Sequence, residues 1–437
     1  MRPGSSFAQM CDTPAMLTSP RHLRVRTTAR VWLVVAAWLG GQGALPAPAW
    51  GEPLALTYAD TVARAVREAP QVVAARTRIA IAEAEVAIAG VLPNPSVWAG
   101  SSTQAARLSA GVSLPLLILG QRSAAMAAGQ ADQAAVQADI DVTRQDVRAA
   151  AGHAYVALWL AEKTAAARRQ AATVAAQLDD AVTQRIAVGS APRFEGLRAH
   201  ADRLRADAEA VEAQALVVAA AVDLGRWLAV QEPEDLRTAG DPDVPDQSPA
   251  LISLRDRANR APAVLREEAA ARAADAHADR ERALVRPALV LDVGADIGDP
   301  TLPATNYRAQ LGVELPLLSQ RRPQVQREQA AAQAARVRAT SERAMASADL
   351  VVAYRTFEAH SSRFASFRDV VVPATNQAAQ AMRDAYRLGR ASLAAVLEAE
   401  RAHIETSLGL LQAQAARAGD WIDLEHALGT QNKGAQP

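Results

Sequence analysis

The sequence predicts a mainly α-helical fold with a β-barrel contribution, built as two copies of one plan. Each half is expected to run helix, strand, strand, long helix, turn, helix. Three observations carry this. A heptapeptide occurs twice, "GVSLPLL" at 111–117 and "GVELPLL" at 312–318. Runs of apolar–polar alternation stand beside each copy, the period of a half-buried strand. A long stretch with helical apolar spacing follows each copy.

The amino terminus reads as a leader. "RHLRVRTTAR" (21–30) is basic, "VWLVVAAWLGG" (31–41) is apolar, and small residues follow at Ala47 and Ala49. That is the order of a secretory signal peptide over 1–49, with cleavage after Ala49 and Met16 as an alternative start. The apolar run is shorter than the roughly 20 residues a spanning helix needs. The single cysteine, Cys11, would leave with the leader, so disulfides and thiolate chemistry are excluded from the mature chain.

The first repeat is expected over 50–230. The acidic, proline-rich "QEPEDLRTAGDPDVPDQSP" (231–249) then marks a linker, placed at 231–247. The second repeat is expected over 248–430, with a tail at 431–437. In each half two strands follow the opening helix. "PSVWAGSST" (95–103) is the weakest. "ARLSAGVSL" (106–114), "LVLDVGADIG" (289–298) and "YRAQLGVEL" (307–315) alternate cleanly. Each has about the length of a tilted strand crossing a bilayer. Their apolar sets include Leu108, Val112, Leu291, Val293, Leu311 and Val313. Their polar sets include Arg107, Ser109, Ser113, Asp292, Asp296, Arg308, Gln310 and Glu314. Pro115 and Pro316 are expected to stop the sheet, and the "QR" at 121–122 and 320–321 to start each long helix.

The long helices follow. Gln121 to Ala187 contains no proline, and its apolar positions step by four and seven through Val136, Ile140, Val147, Ala154 and Leu158, and by four through Val174, Leu178, Val182 and Ile186. At 1.5 Å per residue this gives roughly 100 Å. Gln324 to Leu388 repeats it, with a break expected at Pro373. Such helices must project as hairpins. Alanine dominates the apolar share and aromatics are only 4%, which suits closely packed helices.

Four strands cannot close a barrel, for which about eight is the working minimum. Open edges in lipid leave backbone groups unpaired. Several chains are therefore expected to contribute four strands each, with the polar set lining a wet lumen. Forty-seven basic residues balance forty-seven acidic ones, which excludes an electrostatic case for nucleic acid.

This plan resembles the TolC-like outer-membrane efflux family over residues 52–430. The resemblance rests on the duplicated helix–strand–strand–helix order, the two "GVxLPLL…QR" elements, and the turns "VGSAPRFEGLRA" (188–199) and "LGRASLAAVLEA" (388–399). It implies a homotrimer with a twelve-stranded barrel in the outer membrane and a periplasmic helical tunnel. The partners it implies are outer-membrane lipid, a periplasmic adaptor and a proton-driven inner-membrane pump. Short loops such as "SSTQAAR" suggest the cobalt–zinc–cadmium branch, with heavy-metal cations as cargo. The alternatives are a periplasmic adaptor and a helical scaffold without a pore.

The same resemblance implies a periplasmic gate. Tyr386 and Glu195 match the positions of a tyrosine–carboxylate latch. The family's second-turn arginine falls on Ala391, with Arg390 adjacent as a substitute. Of two acidic-ring positions, one falls on Ala395 and one on Glu398, with Arg198 at the duplicated position. No enzyme is expected: GxSxG and phosphate-loop motifs are absent, and so is any cofactor signature. His153, His200, His277, His360, His403 and His426 are scattered and read as surface or packed residues rather than metal ligands.

Overall fold

The computed structural model describes residues 54–103, 107–246, 250–298 and 305–429. The expected leader, Cys11, Met16 and the 431–437 tail lie outside the described residues, as do 104–106 of the "SSTQAAR" loop.

The first half starts with β1 (Ala55–Leu56) and α1 (Tyr58–Glu68), whose N-cap Thr57 accepts a hydrogen bond from the Asp60 backbone N–H. Then come α2 (Pro70–Ala89), β2 (Ser96–Gly100), β3 (Leu108–Leu116), α3 (Gln121–Ala187) and α4 (Arg193–Leu228). The connection carries β4 (Arg237–Thr238), which pairs parallel with β1. The second half repeats the order with α5 (Leu251–Ala258), α6 (Pro262–Ala283), β5 (Ala288–Ile297), β6 (Thr305–Glu314), α7 (Arg322–Ser366), α8 (Val372–Arg387) and α9 (Leu393–Leu428).

α3 has the expected bounds and 67 residues, so it extends about 100 Å. Its counterpart is broken: a π-turn over Phe367–Val371 separates α7 from α8, and Pro373 lies in the first turn of α8. A proline cannot donate the bond that would continue α7, and the chain absorbs the loss as one wide turn. The turn presses Phe367 against α9 at Gly409, where a Cβ would sit 2.6 Å from the ring.

The hairpin tips are duplicates down to their hydrogen bonds. Gly189 (φ 74°) and Gly389 (φ 71°) both take the left-handed conformation. Ser190 N–H bonds to Arg185 O and Arg390 N–H to Ala385 O, each at 2.8 Å. This is the six-to-one closure of a glycine-terminated helix. α4 and α9, the return helices, have 36 residues each.

β2, β3, β5 and β6 form one antiparallel sheet in that order. Three expectations need correction. β2 has 5 residues, about half the length the other strands reach, because Gly100 and the serines after it have little side chain to pack. Pro115 lies inside β3, opposite Val290, rather than ending the ladder. β2 ends at Ser96 opposite Ser113, so β3 is paired on one side only beyond that point, the edge setting a strand proline needs. Pro316 does fall outside β6. Finally, α7 starts at Arg322 and not at Gln320. Arg321 caps it with φ 46° and Pro323 takes its first turn, where a missing N–H costs no helical bond.

The core lies where α1 to α4 meet and gathers Val147, Leu158, Val217, Leu224 and Leu228. The acidic connection is a strap packed on both halves. Leu236 is buried in that core. Trp159 Nε1–H donates to Asp241 at 3.0 Å, Tyr155 O–H to Gly240 O at 3.1 Å, and Arg417 of α9 to Pro245 O at 2.7 Å. Among the described residues, no helix is long and apolar enough to cross a membrane.

Candidate functional site

The strand registers bring the expected polar set to one sheet face. Directly opposed residues share a face, so the chain can be followed rung by rung. Ser96, Ser113, Asp292 and Gln310 form one rung. Trp98, Gly111, Gly294 and Arg308 form the next, and Gly100, Ser109, Asp296 and Asn306 the third. Glu314 has the same parity opposite Ala288. Arg107 lies just before β3, and a Cβ on Gly298 would sit 3.3 Å from its stem. Arg308 and Asp296 approach at 3.5 Å.

The other face is continuous and apolar: Val97, Leu108, Val112, Val293, Ile297, Tyr307, Leu311 and Val313. In one chain it stands bare, with Val97 80% and Tyr307 83% exposed. Leaving side chains of this size in water forgoes roughly 1.5–3 kcal/mol each. The outer strands β2 and β6 have no further strand partner among the described residues.

At the opposite end the two hairpin tips meet. Val182 and Ala199 of the first hairpin pack with Tyr386, Leu393, Val396 and Leu397 of the second. Tyr386 is 4% exposed. Its hydroxyl has no hydrogen-bond partner. Burial raises the phenol's pKa, the Arg185 guanidinium opposes this, and the Glu195 carboxylate adds to it. Glu195 is thus an electrostatic neighbour of Tyr386, while no hydrogen bond of good geometry closes between them. The contact that holds Tyr386 comes from Arg185, whose guanidinium lies 4.5 Å from the ring centroid and donates to Tyr386 O at 3.3 Å. Sequence reasoning missed Arg185. Its one signal was position, a base in the last turn of α3 beside the tip glycine. Arg198, Arg390 and Glu398 are exposed, and no ion pair joins Arg198 to Glu398.

Between the two ends, cross-helix ion pairs tie the bundle. Arg383 meets Glu400 at 2.7 Å, and Asp179 takes His200 at 3.3 Å and Arg203 at 3.5 Å. The histidines are more ordered than their scatter in sequence suggests. His153 pairs with Asp423 at 2.8 Å, His277 with Asp132 at 2.9 Å, His426 with Asp146 at 3.0 Å, and His360 with Asp420. Nδ1 of His403 is buried without a partner. Among the described residues, no three His, Cys, Asp or Glu side chains gather as metal ligands. The last turns of α9 are thereby locked to α3 and α7, and Arg148 adds an ion pair to Glu425 at 3.6 Å. Burial raises the pKa of Glu425, and Arg148 opposes it.

The chain matches no family model. It is 24% identical over 318 residues to the cobalt–zinc–cadmium resistance protein CzcC of Cupriavidus metallidurans, covering 72% of this chain and 75% of that protein. The outer membrane protein VceC of Vibrio cholerae superposes with a TM-score of 0.69 at 18% identity, covering 85% of this chain and 96% of VceC. CusC, a protein that forms a transmembrane channel, superposes at 0.70 and 16% identity, covering 87% and 94%. The duplicated strand pairs, the long hairpins and these superpositions agree: the chain has the fold of the TolC-like outer-membrane efflux channels.

Proposed function

We propose that the protein is the outer-membrane channel of a tripartite efflux system and conducts passively. Three chains supply twelve strands. The apolar sheet face meets lipid, and Arg107, Ser109, Ser113, Asp292, Asp296, Arg308, Gln310 and Glu314 line the lumen. The helical hairpins extend into the periplasm as a tunnel toward an adaptor and a proton-driven inner-membrane pump. One observation carries this reading: a four-stranded sheet with one polar and one bare apolar face, open at both edges, stands on a helix about 100 Å long and its broken counterpart. Neither an adaptor nor a poreless scaffold gives a reason for that sheet.

The helices support assembly as well. On α4, Phe194, Leu197, Ala201, Leu204, Ala208, Val211, Ala215 and Val218 follow a heptad seam, and all are exposed. Of their duplicates on α9, Leu397, Ile404, Leu408, Leu411, Ala415 and Ala418 are buried or half-buried within the chain, while Ala394 and Arg401 near the tip are exposed. The face that α9 covers internally is left free on α4 for a second copy. The tip cluster around Arg185, Tyr386 and Glu195 is the gate, with Arg390, Arg198 and Glu398 at its mouth. A leader over 1–49, repeats over 50–230 and 248–430, and a connection at 231–247 complete the proposed organisation.

Heavy-metal cations are the proposed cargo, by likeness to CzcC. Light scattering of detergent-purified protein should give three chains per particle, and a monomer would overturn the assembly. Deleting the gene should sensitise cells to cobalt, zinc or cadmium. Unchanged metal tolerance with lost drug tolerance would overturn the cargo alone.

A further inference from the structure

The glycine of each heptapeptide has a structural counterpart across its hairpin. Gly111 lies opposite Trp98 and Gly312 opposite Val290, so each half sets a bulky residue against a glycine. The first pair goes further. Trp98, Gly111, Gly294 and Arg308 form a single rung across all four strands. The indole of Trp98 lies over both glycines: a Cβ would come within 2.5 Å of the ring at Gly111 and 3.0 Å at Gly294. From the far strand the Arg308 guanidinium reaches over the same ring, 5.3 Å from its centroid, and meets Asp296 at 3.5 Å. One side chain from β2 thus touches β3, β5 and β6. Flat aromatic cover of strand glycines is a device that pins register, and a cation over an indole adds attraction.

We infer that Trp98 is a positioning residue for assembly: with Arg308 it staples the two free edges of the sheet to each other, so that each chain presents β2 and β6 at the spacing its neighbours require. The inference rests on the channel reading above. β2 is the strand most in need of such a staple, having 5 residues and pairing only with β3. It is also one of the two edges at which copies must join. Gly111 and Gly294 leave the slot, Trp98 fills it, and Arg308 closes it from the opposite edge. The polar face keeps the indole clear of lipid.

The test compares heat-resistant trimer bands and bilayer insertion of wild type, Trp98→Phe, Trp98→Leu, Arg308→Gln and the Trp98→Leu/Arg308→Gln double variant. Trp98→Phe should retain the trimer, because a flat ring still covers the glycines. Trp98→Leu should lose it at temperatures where wild type holds, while helical circular dichroism is unchanged. The double variant should be no worse than Trp98→Leu, because the two residues act as one unit. Trp98→Leu as heat-resistant as wild type, or additive losses in the double variant, would overturn the staple. A wild type that never forms a trimer would instead remove the channel reading beneath it.

Discussion

Arg185 and Tyr386 join the two hairpins at their tips: the guanidinium of the first lies 4.5 Å from the ring of the second. Each sits within four residues of its tip glycine, at corresponding ends of the two duplicated halves. The pair is therefore a contact between repeats, made where the tunnel would be narrowest.

Arg185→Ala should loosen that contact. A cation over an aromatic ring contributes about 0.5–2 kcal/mol depending on its exposure. The two hydrogen bonds from Arg185, to Tyr386 O and Ser190 O, would be lost with it. Bilayer recordings should show higher conductance or more frequent opening than wild type. Tyr386→Phe keeps the ring and removes only an unpartnered hydroxyl, so its conductance should match wild type. If instead Tyr386→Phe opened the channel and Arg185→Ala did not, the hydroxyl–Glu195 latch would be the working contact.

The two sheet faces should respond oppositely to charge. Leu311 is 60% exposed on the apolar face. A cation placed at the lipid midplane of a barrel costs roughly 2–4 kcal/mol. Leu311→Arg should reduce membrane insertion, while Gln310→Arg, one position away on the polar face, should insert normally and alter only ion selectivity. Equal insertion of both variants would mean the faces are wrongly assigned.

The tip glycines should show a pure backbone cost. A Cβ on Gly189 or Gly389 meets nothing within 4 Å, so Ala there suffers only the left-handed conformation, about 1–2 kcal/mol. Thermal denaturation of Gly389→Ala should show a loss of that order and no larger.

Glu425 gives a pH signature. Its carboxyl is half-buried against α3, and that burial raises its pKa in the folded chain above the ordinary value. A carboxyl with a raised folded pKa takes up a proton on folding in the window that opens at the ordinary glutamate value, about 4.3. Stability contributed there falls as pH rises through the window. Glu425→Gln should flatten the stability profile just above pH 4, read by denaturant unfolding at closely spaced pH values.

Much of the plan was legible in sequence because its signals are local and repeated. Gln121–Ala187 could be bounded from spacing alone, since no proline interrupts it and "GVSLPLL" precedes it. The strand faces followed from period two. What escaped was set by neighbours far along the chain. Trp98 sits in a weakly patterned strand, and its role depends on Gly294 and Arg308, which no local pattern links to it. Arg185 matters because Tyr386 packs beneath it. His153, His360 and His426 became paired groups only when α9 came to lie against α3 and α7. Pro115 was misplaced because the end of β2, and not the proline, decides which strand edge is free.

Single-channel recording in planar bilayers tests the central claim most directly. The detergent-purified chain should insert in discrete, uniform conductance steps, as a closed twelve-stranded ring must, and Trp98→Leu should lower their frequency. Folded, helical protein that adds no conductance steps at any concentration would contradict the channel.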